Sequence, residues 1–172
     1  VLRCYGCIDF VHIYRNIISK KELSESWLWH YDDCPVTFLK LMIYLNDVDE
    51  DNGCFSILMD RKGRYPTIET FRVRPDSGKK KQVYKNSRIP PEVISKTINK
   101  GGKVVNLTGS AGTYVLITPN ICHRATIPKK GCKNPRDVMV WFIRPCLSKR
   151  KYIGKYTGSF RPERNVKRYE LD

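Results

Sequence analysis

Two histidines and one aspartate give the first chemical hint in this chain. His30-Tyr31-Asp32 is answered by His123, 93 residues further on, and Arg136 follows thirteen residues after that. Two imidazoles and a carboxylate are the set that binds non-haem Fe(II) on one octahedral face and leaves the remaining positions open. A bidentate co-substrate and O2 can then reach the same ion, which a fourth protein ligand would prevent. An arginine beside such a centre suits a dicarboxylate, because guanidinium and carboxylate meet through two parallel hydrogen bonds. His-x-Asp alone arises often by chance, so the elements around it must carry part of the argument. The chain has only three histidines and this arrangement uses two; the third, His12, falls in a helix-like stretch and reads as structural.

Those elements are mostly strands. Trp27–Tyr31 reads as one, which puts His30 and Asp32 on the same face because side chains alternate, with Asp33 on the other. Phe38–Leu45 is the clearest. Leu39, Leu41, Ile43 and Leu45 form one face and Lys40, Met42 and Tyr44 the other, as in a barrel wall whose second face lines a cavity. The acidic turn 46–53 follows, then a strand at Cys54–Met59. Further strands are expected at Lys103–Leu107, Thr113–Ile117 and Val138–Ile143, and a short helix at Glu92–Asn99 after Pro90-Pro91. Residues 8–23 read as weakly helical, and 60–103 are the least regular. Short strands between Gly, Pro and Asn turns argue for a mainly β sandwich or barrel with few helices, the group that includes cupin-like jelly rolls. Arg136 enters the last strand, with Arg124 and Arg144 as its competitors for the anion.

The 172 residues fit one domain large enough for a real core. No apolar run approaches the roughly 18–20 residues that span a bilayer. A start at Val1, with neither Met nor a basic-then-apolar leader, suggests that an upstream segment is missing. Seven cysteines at irregular spacing, with Cys4-x-x-Cys7 unanswered by a second pair, read as reduced thiols in a cytoplasmic protein. The net charge of +15 is uneven: residues 1–60 carry −5, residues 61–103 carry +10, and 104–172 another +10. That asymmetry fits nucleic acid, an acidic surface or an anionic small molecule, although most lysine-rich stretches are solvated faces. Lys79-Lys80-Lys81 reads as an exposed loop tip. The run from Lys149 to Arg168 interleaves Tyr152, Tyr156 and Phe160 with basic residues, a pattern able to stack on single-stranded nucleic acid or to pack on the domain.

Taken together, Trp29-His30-Tyr31-Asp32, the strand and turn from Lys40 to Gly53, Gly112–Ile117 with His123-Arg124-Ala125, and Arg136 with Pro145 resemble the phytanoyl-CoA dioxygenase family of Fe(II)/2-oxoglutarate-dependent oxygenases. The resemblance covers roughly residues 24–146 of a single oxygenase domain with a basic extension at 147–172. It implies a double-stranded β-helix (jelly-roll, cupin-like). It implies that His30, Asp32 and His123 hold iron, and that Arg136 grips the distal carboxylate of 2-oxoglutarate. The implied reaction consumes 2-oxoglutarate and O2, releases succinate and CO2, and oxidises a C–H bond of a small organic substrate. The intact Asp32 favours hydroxylation over halogenation, since related halogenases have a small residue there. Lys40 and Tyr44 on the inner face are further candidates for the co-substrate. The family often has a co-substrate hydroxyl two residues after the distal histidine; here that position is Ala125, with Thr126 beside it. The lysine-rich 61–103 stretch falls where a lid would lie, so the substrate is expected to be an anion. The alternative is a jelly-roll binding module that keeps its metal and uses its basic face for nucleic acid or an acidic partner. A cupin-type isomerase or lyase, indifferent to Arg136, is a third reading.

Overall fold

Alternation of apolar and polar side chains sets most of the strands. The computed structural model describes residues 5–16, 25–32, 37–73, 80–84 and 88–146. The run from Lys149 to Arg168, Asp33 and Lys79 lie outside them. In chain order the elements are β1 (Tyr5–Arg15), a 3-10 turn at Glu25–Trp27, β2 (Leu39–Tyr44), β3 (Phe55–Met59), β4 (Phe71–Val73), β5 (Lys80–Gln82), α1 (Pro91–Asn99), β6 (Lys103–Leu107), β7 (Tyr114–Ile117), β8 (His123–Ala125) and β9 (Asp137–Cys146).

Two antiparallel sheets carry the fold, one ordered β1-β9-β2-β7 and the other β6-β3-β8, with β4 and β5 forming a separate hairpin. From β6 onward the chain steps between the sheets at each connection, which is consistent with a jelly-roll-like architecture. Met42 and Tyr44 of β2 and Val138, Val140 and Phe142 of β9 face Phe55 and Ile57 of β3 across the main core. A second cluster, Trp29, Leu58, Ile89, Ile94 and Cys122, covers the other face of β3 and brings α1 against it. Pro91 opens that helix, where its missing N–H costs nothing. The three-stranded sheet is thus covered on both sides, and β3 reads as a near-continuous buried run.

Four expectations are corrected. Residues 8–15 are not helical: they belong to β1, which lies at the edge of the larger sheet and pairs with β9. Lys80 and Lys81 belong to β5, not to a loop tip. Trp27–Tyr31 is not a continuous strand, because Glu25–Trp27 is a 3-10 turn and only His30 makes a ladder bridge. The all-reduced reading of the cysteines also fails for Cys7, which is disulfide-bonded, whereas Cys54, Cys122 and Cys132 are free thiols. Among the described residues no helix is long and apolar enough to cross a membrane.

Candidate metal centre

Strand register, not chain proximity, assembles the site. His30 and His123 face each other as an antiparallel pair that exchanges both backbone hydrogen bonds, each of 3.0 Å. Directly opposed residues in such a pair project to one face of the sheet, and the two imidazole rings stand 4.4 Å apart. Asp32 is held two residues beyond His30 by its own N–H, which donates to the Pro119 carbonyl at 3.2 Å. One carboxylate oxygen of Asp32 then lies 3.6 Å from His30 Nε2 and 3.5 Å from His123 Nε2. The three donor atoms fall within 4.8 Å of one another.

Both imidazoles are oriented in the same way. Nδ1 of His30 donates to the Leu28 carbonyl at 2.7 Å, and Nδ1 of His123 to the Ile121 carbonyl at 2.8 Å. A nitrogen that donates to a carbonyl must carry the proton, so Nε2 is the nitrogen that each ring turns toward Asp32 and could offer to an ion. This is the outer-shell arrangement by which metal-binding histidines are held in tautomer and direction. Burial keeps His123 neutral, lowering its pKa against the pull of Asp32. For Asp32 burial acts upward, but the contacts from His123 and His30 and the charge of Lys40 prevail, holding the carboxyl well below the usual range. Two imidazoles and an ionised carboxylate fit a divalent ion. Among the described residues no fourth His, Cys, Asp or Glu joins the group.

Acid should therefore destabilise the metal-free protein. His123 has a folded pKa below its ordinary 6.5, so protons favour the unfolded chain and stability falls as pH drops through that value. The contribution of Asp32, present above its ordinary 3.8, is lost further down. Thermal melts between about pH 8 and 4 are expected to decline from the upper value, and His123→Leu to flatten that first portion.

Lys40 reaches the other Asp32 oxygen at 2.7 Å and lies 5.4 Å over the Phe142 ring. Its side chain is only 11% exposed, so the pair is little screened. Lys40→Met should weaken Mn(II) or Fe(II) binding about 10–100-fold, the usual effect of losing an outer-shell partner, as calorimetric titration would show.

Arg136 lies deeper, 1% exposed. Its guanidinium rests against the Tyr44 hydroxyl and 3.9 Å from the Met42 sulfur, and its Nε has no partner. Among the described residues no carboxylate answers its charge. A sealed, unpaired cation is costly, and a carboxylate ligand would satisfy it. The competing arginines are otherwise employed: Arg144 pairs with Asp9 at 2.9 Å, and Arg124 stacks 4.7 Å over the Trp29 ring. Tyr44 links Arg136 to the centre. Its hydroxyl donates to the Leu107 carbonyl at 2.6 Å and takes the Phe55 N–H at 3.4 Å, while the Phe55 ring lies 5.0 Å from that of His123. Thr126 is not brought to this group; its hydroxyl donates to the Cys54 carbonyl at 3.1 Å.

Sequence reasoning missed what the acidic turn does. Asn46 takes the Asp137 N–H at 2.7 Å and donates to the Pro135 carbonyl at 3.3 Å. The Asn52 carbonyl takes the Arg136 N–H at 2.9 Å. The turn thereby clamps the backbone on both sides of the buried arginine. Of its carboxylates, Asp49 accepts the N–H groups of Asp51 and Asn52 within the turn, and Asp47 accepts that of Ala111 from another loop. A surface depression of about 390 Å³ beside them, lined by Asp47, Asp49, Asp51 and Lys129–Lys133, lies away from the three ligands.

The family pattern described as Phytanoyl-CoA dioxygenase (PhyH) matches residues 24–127, which contain His30, Asp32 and His123. No curated protein matches the chain significantly. With more than half of its length matched and both histidines and the aspartate converging inside the matched region, the chain belongs to the phytanoyl-CoA dioxygenase family, a family of oxygenases.

Proposed function

We propose that the protein is an Fe(II)- and 2-oxoglutarate-dependent dioxygenase that hydroxylates a C–H bond of a small organic molecule, within a single oxygenase domain. The observation that carries this reading is the buried Arg136 guanidinium, whose Nε has no partner and whose charge no described carboxylate answers, in a chain that also gathers a His-Asp-His group. An isomerase or lyase would have no use for it. In this reading His30, Asp32 and His123 hold the ion, and Arg136 takes the distal carboxylate of 2-oxoglutarate. When bound, iron with 2-oxoglutarate and O2 supplies the oxidising power, and succinate and CO2 leave as products.

The chain's own contribution is placement. The two imidazoles are fixed by carbonyls before any ligand arrives, and Lys40 keeps Asp32 ionised and aimed. Tyr44 shields the arginine from solvent. Phe142, stacked on Phe10 at 4.1 Å, lies under the Lys40 ammonium and keeps that side of the ion pair apolar.

The experiment is an anaerobic titration of the metal-free chain with Mn(II) and 2-oxoglutarate, followed by aerobic assay with Fe(II) for succinate. Metal-dependent binding of 2-oxoglutarate and iron-dependent succinate release are expected, and both should vanish in Asp32→Ala. Binding of 2-oxoglutarate that ignores the metal, or no binding, would reject the reading.

A further inference from the structure

Independently of the oxygenase reading, we infer that two copies of this chain pair through the outer face of the larger sheet. Met42 and Tyr44 of β2 and Val138, Val140 and Phe142 of β9 turn into the main core, so alternation sends the residues between them outward. Register then lines these up across all four strands, because directly opposed residues project to one face. Trp141 stands between Val11 and Leu41, and Leu116 continues that row. Met139 stands between Ile13 and Ile43, and Tyr114 continues the next. A third row runs from Ile8 through Ile143 to Leu39.

Every position in these rows is apolar or aromatic, and none is charged. The next pair beyond Ile13 and Met139 is Arg15 and Asp137, which close that end of the face by pairing with each other at 2.7 Å. The described helix, α1, packs on the smaller sheet instead, and Ile8, Ile13, Tyr114 and Leu116 are between 48% and 72% exposed. Strands about 4.8 Å apart, with residues of one face about 6.8 Å apart along each, make a rectangle roughly 15–20 Å on a side. With its rim it offers on the order of 700 Å² of accessible surface, above the about 300–600 Å² of the largest patch on most monomers. Each partner in a specific contact gives about 800 Å².

Area and charge choose a second copy as the occupant. A face without basic groups offers nothing to nucleic acid, whose binding rests on phosphate contacts, or to an acidic protein. A chain of net charge +15 repels its own kind, and an uncharged face is where two copies can meet. A sheet face is also complementary to itself. Related by a two-fold axis, two such faces lay row against row about 10 Å apart, as the sheets of a sandwich do. Trp141, at the middle of its strand and between two others, is the kind of aromatic anchor that dominates contact centres. The metal centre stays uncovered, since Lys40 meets Asp32 from the inward side of β2.

The test is sedimentation equilibrium of the full chain over about 1–200 μM. The mass is expected to climb from 20.1 kDa toward twice that value, with a dissociation constant of about 10 μM or lower. Leu116→Glu and Ile13→Glu, made separately at exposed positions, should each weaken the dimer about 30-fold or more, because the two-fold axis places two carboxylates in the apolar contact. Near- and far-UV circular dichroism should be unchanged in both, which separates a lost contact from a lost fold. Lys129→Gln, on the far side of the acidic turn, should dimerise as the wild type does. A wild-type chain that stays at 20.1 kDa throughout overturns the inference, and so does a dimer that both glutamate variants leave intact. A mass that grows past the dimer marks a head-to-tail contact and overturns it as well. So does a monomer that floats with phosphatidylcholine vesicles and ceases to as Leu116→Glu, which would give the face to lipid. If one variant fails to fold, the other and the wild-type mass still decide.

Discussion

Arg136→Met is expected to bind 2-oxoglutarate about 10²–10³-fold more weakly, the loss that follows when one partner of a buried ion pair is removed. The same variant should melt at a higher temperature when free of ligand. The two effects have one cause. In the free protein the guanidinium is 1% exposed, with one nitrogen unpartnered and no described carboxylate nearby. Replacing it by an apolar chain of similar length removes a desolvated charge and fills the same space beside Met42 and Tyr44. Comparable replacements of buried charges stabilise by about 1–4 kcal/mol, or several degrees for a domain of this size. Melting curves with and without 2-oxoglutarate and Mn(II) check both halves. The wild-type melt should rise with ligand, by mass action on the folded state, and the variant melt should not. A variant that is less stable and still binds would show that Arg136 is structural.

The second large effect is at Gly53, where Gly53→Ala should lower stability by about 2–6 kcal/mol, combining backbone strain with overpacking. Gly53 has φ +93°, a region that side chains rarely adopt. A Cβ there would stand 2.3 Å from Asn16 Nδ2, 3.0 Å from the Pro128 ring and 3.2 Å from the Thr126 carbonyl. Asn16 cannot give way freely. Its amide donates to the carbonyls of Gly53 and Thr126, both at 3.1 Å, and its oxygen accepts the Trp27 indole N–H at 2.9 Å. The backbone of Asn16 also donates to the Arg136 carbonyl at 2.8 Å. The damage should therefore spread to the co-substrate end. Chemical denaturation gives the stability loss, and titration of any folded fraction should show 2-oxoglutarate affinity falling more than metal affinity.

Much of the β core was legible because alternation survives where one face is buried and the other is not. β2, with Met42 and Tyr44 inside and Leu41 and Ile43 outside, is distinguishable through Lys40, and β3, β6, β7 and β9 lie within a few residues of their expected positions. β1 was not legible. It pairs Phe10 with Phe142 and an exposed His12 with Val140, so one face carries an apolar and a polar side chain, while the other carries apolar Val11, half-buried, and Ile13, exposed. The period-two contrast is erased, and the remaining spacing mimics a helix. β8 is only His123-Arg124-Ala125, too short to carry a pattern, and its existence depends on pairing with β3.

At the site, alternation along an expected strand was what set Asp32 apart from Asp33; that strand is not continuous, yet the structure brings Asp32 together with His30 and His123. The Lys40–Asp32 contact could not be read, because it joins a residue outside any strand to one in β2. The clamp made by Asn46 and Asn52 was equally hidden. The turn looks like an acidic surface loop in sequence, and only long-range pairing gives its asparagines their backbone targets near position 136.

The two Nδ1–carbonyl contacts have a further consequence. Because Leu28 and Ile121 hold the rings in place through the backbone, a bound metal ion would not be what keeps them there. Folding and loading are then separate events, unlike in small zinc domains that collapse when stripped. Chelator treatment should leave a folded, refillable receptor, so that on the proposed iron-dependent reading a cell short of iron would hold a dormant reserve ready to be charged again.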